Sequence, residues 1–347
     1  MKTSYFDERK LPLVVEPDGK DKSVAALMDW IAKDKAGFDK AFYDNGAVLF
    51  RGFDINQPID FENVALSVDT GLKNDYLGTS PRDRIEGTTY VFSASELPPF
   101  YPIMQHCEMS YVENPPIKLF FYCHIEPLYG GETPVCNFRE VYRQLPDNIR
   151  RDFDEKGVIT VRNYAGLNKK GKNLWELKSW DQIFHTTDKL EVERQCEQYK
   201  IEYEWMNGDN LRLLHRTPAT IKHPVTGDIT WFNHTQVFHP DAGPAEYRHI
   251  HQRQKRLPTL AWWLFISAMV QFKKRKIAPI DQSMNVLFGD GSPIPASYVK
   301  IIEDIIWKNM VIFPWRKNDV IAIDNFSTSH GRLPFKGPRE ILVCWTA

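Results

Sequence analysis

The sequence predicts a β-sandwich or barrel core with flanking helices and a long insert. Three observations point there. Apolar runs with strand character stand in the first third of the chain, "AVLFRGF" from Ala47 and "PIKLFFYCHIEP" from Pro116. Two more close it, "DVIAIDN" from Asp319 and "REILVCWT" from Arg339. Between them, from about residue 165 to 290, the pattern turns charged and largely helical. Strands at both ends of a core with a helical excursion between them suit a layered β architecture.

Taken in order, "KSVAALMDWIAKDKAGFDKAFYDNG" has apolar residues at helical spacing and stops at Gly46, a residue suited to a helix C-terminus. "PIDFENVALSVDTGL" is the next helix candidate. Prolines bound "PIKLFFYCHIEP", which reads as a buried strand. "NFREVYRQLPDNIRRDFDEKG" reads as one or two short helices closing on Gly157, followed by the strand "VITVRNY". "TTDKLEVERQCEQYKIEYEWM" is long, charged and expected to be helical. "RTPATIKHPVTGDITWFNH" returns to strands around a "TGD" turn. "EYRHIHQRQKRLPTLAWWLFISAMVQFKKRK" reads as helix with a proline break. The whole, residues 1–347, is expected to form a single catalytic domain, with residues of about 165–290 as its insert or lid region.

Composition narrows the class. The chain has 347 residues, enough for a sizeable core, with 42% hydrophobic and 26% charged residues. A net charge of −1 gives no bulk electrostatic reason for a nucleic-acid or membrane partner. The opening "MKTSYFDERKLP" has no apolar signal region, and no apolar run is long enough to span a bilayer. Five scattered cysteines form no CxxC pair, which argues against a structural zinc site or a disulfide framework. A cytoplasmic setting is the expectation. "FGDGSP" lacks the lysine and the strand–helix context of a phosphate loop.

The candidate chemistry begins with His-x-acid pairs: His106/Glu108, His124/Glu126 and His239/Asp241. Ten histidines among 45 acidic residues supply such pairs readily by chance, so the pattern alone decides nothing. On a strand, residues two apart share a face, so such a pair could present two metal ligands together. Pro240 makes the third pair a turn, and His124 can simply be hydrogen-bonded within its sheet. Cys107, between the first pair, would point away and pack. Two further pieces are "YGGETPVCN", which carries Thr133 27 residues beyond His106, and "DNFSTSHGRLPFKGPREILVCW", with His330 and Arg339. Taken singly, the paired glycines are a turn, His330 could satisfy a turn carbonyl and Arg339 could be a surface ion-pair residue.

Taken together and in order, these residues resemble the Fe(II)/2-oxoglutarate-dependent dioxygenases of the taurine dioxygenase and clavaminate synthase-like group. The resembling elements are His106-x-Glu108, "GGET" with Thr133, distal His330 and Arg339, and the N-terminal "NGAVLFRGFD" with Gly46, Arg51, Gly52 and Phe53. The forms "HCEMSY" and "HGR-x-PF-x-GPR" are closest to the syringomycin-type amino-acid hydroxylases of that group. The likeness runs from residue 46 to the C-terminus, loosely between 165 and 290.

The resemblance implies a double-stranded β-helix, or jelly roll, of the cupin-like kind. It also implies that His106, Glu108 and His330 hold Fe(II) as a facial triad with open coordination positions for 2-oxoglutarate and O2. Arg339 and Thr133 would bind the far carboxylate of 2-oxoglutarate. Glu108 replaces aspartate, as in the clavaminate synthase branch; a carboxylate there also argues against halogenation. Tyr90, Ser93, Ser95, Gln105, Asn233 and His234 are candidate substrate contacts, although Asn233 and His234 fit a plain loop or core role equally well. The basic "RHIHQRQKR" reads as a solvated helix face that could alternatively hold an anion.

The expected activity is oxidation of a C–H bond, by default hydroxylation, in a small polar amino-acid-like substrate, with release of succinate and CO2. That substrate is a small molecule, an amino acid either free or tethered to a carrier protein. Desaturation or oxidative cyclisation in a biosynthetic pathway is the alternative within the class. A non-oxidative cupin-like binding protein or metal hydrolase is the alternative outside it, and neither of those needs the Thr133/Arg339 pair.

Overall fold

The structure is a computed structural model that describes residues 1–74, 82–94, 97–167 and 179–347. Its centre is the strand Lys118–Ile125, whose run "KLFFYC" leaves almost nothing for solvent because neighbours cover both faces. Val320–Asp324 and Glu340–Thr346 flank it antiparallel, with Phe120 opposite both Ala322 and Cys344. Ala47–Phe50, Leu13–Glu16 and Lys2–Tyr5 extend one edge, and Phe92–Ser93 forms the other. The sheet thus has seven strands, antiparallel except where Leu13–Glu16 meets Ala47–Phe50.

A smaller sheet faces it. Thr328–Arg332 lies between Ile103–His106 and Val135–Asn137, with His330 opposite His106 on one side and Val135 on the other. Leu119, Phe121, Ile321, Ile323 and Val343 of the large sheet pack with Val135 of the small one and with Phe313 in one apolar core. Two face-to-face antiparallel sheets with an interior of alternate side chains make a jelly roll, as expected from the sequence.

The outer face of the large sheet is covered by three helices, Val24–Lys33, Lys35–Asn45 and Pro58–Val68. Leu27, Ile31, Phe42, Phe61 and Val64 of these helices cluster with Val48, Phe50, Phe120 and Tyr122 of the sheet. The first N-terminal helix segment is split in two because the Asp34 side chain accepts from the Gly37 N–H and starts a new helix. A buried ion pair ties this N-terminal layer to the C-terminal strands: Arg51 Nη2 is 2.6 Å from Asp319 and also donates to the Pro314 carbonyl. Burial pushes the Asp319 carboxyl up even so, with Arg51 opposing that shift.

A third sheet joins three strands of the insert to the strand that precedes it, in the order Glu202–Met206, Asn210–Thr217, Val158–Tyr164 and Met284–Phe288. Here the expected long helix ends early. Lys189–Gln198 is helical, but "EYEWM" is a strand. The alternation of Ile201, Tyr203 and Trp205 sets those side chains against the buried Trp180 cluster, and this packing overrides helix propensity. The helices Ala242–Gln254 and Leu257–Lys276 are separated at Lys255, whose φ of 50° breaks the run just before Pro258. Among the described residues no helix is long and apolar enough to cross a membrane.

Replacing Arg51 by Met strands the Asp319 carboxylate in the interior. The expected loss of stability is about 3–5 kcal/mol, read as a lower midpoint in urea unfolding.

Candidate metal centre

His106 ends the strand Ile103–His106, and the pairing of that strand with Thr328–Arg332 sets His330 directly beside it. Their ring centroids are 4.3 Å apart. Close approach of the two strands requires a small residue after His330: a Cβ on Gly331 would stand 2.6 Å from the Ile103 carbonyl oxygen. Glu108 completes the group. Its Oε2 is 3.8 Å from Nε2 of each histidine, and the three ligand atoms lie within 4.8 Å of one another. Two imidazole nitrogens and one carboxylate oxygen at this spacing could hold a single metal ion.

Glu108 is not on the strand, so strand alternation does not aim it. It follows the strand in a turn, and the turn is held by Asn325. Asn325 accepts from the Glu108 N–H at 2.6 Å and donates through Nδ2 to the carbonyls of Glu108 and Pro116 at 3.0 and 2.7 Å. One side chain, following directly on the strand Val320–Asp324, thereby determines where the carboxylate goes. Cys107 packs fully buried into the core cluster of Phe138 and Phe288, consistent with its reading as a packing residue.

The electrostatics suit a cation. Burial opposes charge on Glu108, but Arg82, His106 and His330 outweigh it and hold the carboxyl well below the ordinary range. Arg82 Nη2 is 3.3 Å from Glu108 Oε2. Burial pushes His330 well below its usual range, with His106 adding to the shift, so it stands as the neutral imidazole a metal needs. His106 Nδ1 lies 2.9 Å from the Met104 carbonyl, which places the proton on Nδ1 and leaves Nε2 as donor to a metal. His330 Nδ1 is buried without a hydrogen-bond partner.

Beside this group lies a second one. The "GGET" turn is sterically obligatory: Gly130 and Gly131 have φ of 70° and 71°, and a Cβ on Gly130 would stand 2.2 Å from the Pro334 oxygen. A Cβ on Gly131 would collide with Phe335 and Arg339. With that space open, Arg339 Nε donates to the Gly131 carbonyl at 2.9 Å and Nη2 approaches Thr133 Oγ1 at 3.3 Å. Trp315 Nε1 also donates to Thr133 Oγ1, at 3.0 Å, so the hydroxyl proton is free to point elsewhere. Among the described residues no carboxylate pairs with Arg339. Burial, with Arg332 adding to it, pulls this guanidinium down to about 9. A desolvated cation without a counter-charge, fixed by a hydroxyl and a carbonyl, is chemically matched to a carboxylate.

The other sequence candidates separate into two sets. His234 is brought near the centre, its ring 5.8 Å from that of His106 and its Nδ1 2.7 Å from Ser110 Oγ. Gln105 spends its amide on structure, accepting from Ser329 and donating to the Pro134 carbonyl. Asn233 does the same with the Thr235 N–H and the Ala219 carbonyl. Ser93 Oγ accepts from the Asp83 N–H, and Tyr90 packs against the core beneath the N-terminal helices. Ser95 lies outside the described residues. Sequence reading missed Arg82, Asn325 and Trp315, none of which stands in a spacing pattern that would single it out.

Comparison with known proteins follows the same lines. A family described as taurine catabolism dioxygenase TauD, TfdA family matches residues 8–345. The dapdiamide synthesis protein DdaC of Enterobacter agglomerans is 30% identical over 306 residues, covering 88% of this chain and 83% of the relative. A clavaminate synthase-like protein of Arabidopsis thaliana is 28% identical over 349 residues, covering 98% and 94%. Two solved structures share the fold. A taurine dioxygenase from Burkholderia xenovorans has a TM-score of 0.51 at 15% identity, covering 96% of this chain and 85% of that one. AAD-2, solved with Mn(II) and N-oxalylglycine, has a TM-score of 0.52 at 12% identity, covering 100% and 96%.

Asn325→Ala removes the brace under Glu108 without touching a ligand atom. Metal affinity is expected to fall about 10- to 100-fold, measured by anaerobic titration, while the circular dichroism spectrum stays that of the wild type.

Proposed function

The chain belongs to the TauD/TfdA family of non-haem Fe(II)/2-oxoglutarate-dependent dioxygenases, and from that premise we propose that it oxidises a C–H bond of a small polar, amino-acid-like substrate. The observation that carries the assignment of residues is the compact His106–Glu108–His330 group together with an arginine that has no carboxylate partner among the described residues. His106, Glu108 and His330 are the metal ligands in this reading. Arg339 and Thr133 receive the distal carboxylate of 2-oxoglutarate.

Bound Fe(II) supplies activation of O2 at the expense of 2-oxoglutarate, which leaves as succinate and CO2 while the second oxygen atom enters the substrate. The chain's own residues set the conditions. Ionised Glu108 and the uncharged His330 offer one negative charge to a dication, so the site keeps one net positive charge, which together with the Arg339 guanidinium matches a dianionic co-substrate. Arg339, braced by the Gly131 carbonyl and Thr133, orients that co-substrate from its far end. Phe121, whose ring centroid is 4.9 Å from that of His330, limits water on the core side.

The residues from about 165 to 290 act as the cover and substrate-recognition segment of a single catalytic domain. His234, from that segment, stands against His106 and supports this role. Hydroxylation is the default outcome. The naming of one relative for dapdiamide synthesis favours a biosynthetic setting and a substrate of amino-acid type.

Anaerobic addition of Fe(II) and 2-oxoglutarate should produce a weak visible charge-transfer band, and His330→Ala should abolish it. Wild-type protein with no such band and no succinate release under oxygen would defeat the assignment. Arg339→Ala is expected to raise the concentration of 2-oxoglutarate needed for the band on the order of 100-fold, with iron affinity changed far less. Equal losses in both would mean that Arg339 supports the fold rather than the co-substrate.

A further inference from the structure

On the insert sheet, directly opposed residues share a face. Thr160, Arg162 and Tyr164 alternate onto one face of the strand Val158–Tyr164, opposite His215, Leu213 and Leu211 respectively. Both ends of that face are apolar. Val158 belongs to the cluster of Trp231 and Phe288, and Tyr164 to that of Trp180 and Leu213. Between them stands a guanidinium.

Arg162 is 5% exposed, and among the described residues no carboxylate pairs with it. Its Nη2 donates to His215 Nε2 at 2.7 Å, and the group lies over the rings of Tyr111 and Tyr164 at 4.9 and 5.7 Å. Its Nε is buried without a hydrogen-bond partner. Burial, then Arg162 itself, pushes His215 well below its usual range, so this acceptor is neutral and leaves the positive charge uncancelled. Thr160 Oγ1 and Thr217 Oγ1 are buried and unpartnered as well. An isolated buried cation among unfilled polar atoms is unfavourable for the fold alone.

The location ties this cation to the reaction centre. His215 and Tyr111 line a cavity of about 360 Å³ together with Ser110, Thr217 and Phe232. Tyr111 stands edge-on to His234 at 4.9 Å, and His234 is the ring next to His106. Two aromatic side chains in mutual contact, His234 and Tyr111, thus stand between the metal ligands and the Arg162 guanidinium. Both Tyr111 and Ser110 continue the turn that carries Glu108.

We propose that Arg162 is a substrate-anchoring residue that receives a free carboxylate of the organic substrate. The proposal deepens the function above and rests on it for the identity of the bound molecule. It narrows the substrate to amino acids or derivatives with an unesterified carboxyl group, because a thioester or amide at that position would leave the buried guanidinium unpaired.

The test uses full-length protein loaded with Mn(II) and N-oxalylglycine, so that the Arg339 pocket is already filled. Acetate should raise the melting temperature saturably, and neutral acetamide should not. Arg162→Gln should abolish the acetate response. A response to inorganic phosphate without one to acetate, a response to neither, or an acetate effect that persists in Arg162→Gln would overturn the proposal. A second variant guards against a purely structural role. Arg162→Met should melt no lower than the wild type in the absence of anion, whereas a drop of several degrees would show that Arg162 holds the fold together. The charge-transfer band of the wild type with Fe(II) and 2-oxoglutarate reports independently on the oxygenase assignment, so the two readings fail separately.

Discussion

The pairing of His330 opposite His106 is the constraint on which the rest of the site depends. Two imidazoles with ring centroids 4.3 Å apart cannot both be protonated without strong repulsion in a buried setting. Burial keeps His330 neutral, and the Met104 carbonyl fixes the tautomer of His106. The same strand pairing needs a glycine at 331 and brings Val135, two residues past Thr133, onto the other edge of the His330 strand. A slip of one residue would send His330 to the opposite face and dissolve the group.

Charge is distributed around that pair with an evident logic. Glu108 is held ionised by Arg82 and the two histidines. Farther out, Arg339 and Arg162 are each desolvated without a carboxylate partner among the described residues, and each is braced by neutral acceptors. Arg51, by contrast, has Asp319 at 2.6 Å. The paired arginine joins two layers of the fold; the two without a carboxylate partner among the described residues are the ones to which anion sites are assigned. An arginine's role in this chain follows from whether the protein supplies its counter-charge.

The insert shows why local pattern and final structure diverge. "KIEYEWM" carries charges suited to a helix surface, yet Ile201, Tyr203 and Trp205 find an apolar partner only by alternating as a strand over Trp180. The sheet so formed supplies the surface on which Arg162 and His215 meet. Nothing in the spacing of "TVRNY" and "LLHRT" marks those two residues as neighbours. Their meeting is a matter of register between strands about 50 residues apart, which chain order does not encode locally.

By itself the sequence determined the β core with its helical insert, the obligatory turn at Gly130 and Gly131, and the residue types of a two-histidine, one-carboxylate group with a distal arginine. The core and the turn are legible because turn chemistry and hydrophobic periodicity are local properties of the chain, whereas the metal group is legible only through the order of its residues and the family resemblance they carry. Tertiary structure alone decided that Glu108 reaches the histidines from a turn braced by Asn325 rather than from a strand, and that Gln105 and Asn233 spend their amides on backbone contacts. It also decided that Arg162 is buried with no carboxylate partner among the described residues. These outcomes depend on which polar groups find partners across the fold, a condition set by long-range packing and desolvation rather than by spacing along the chain.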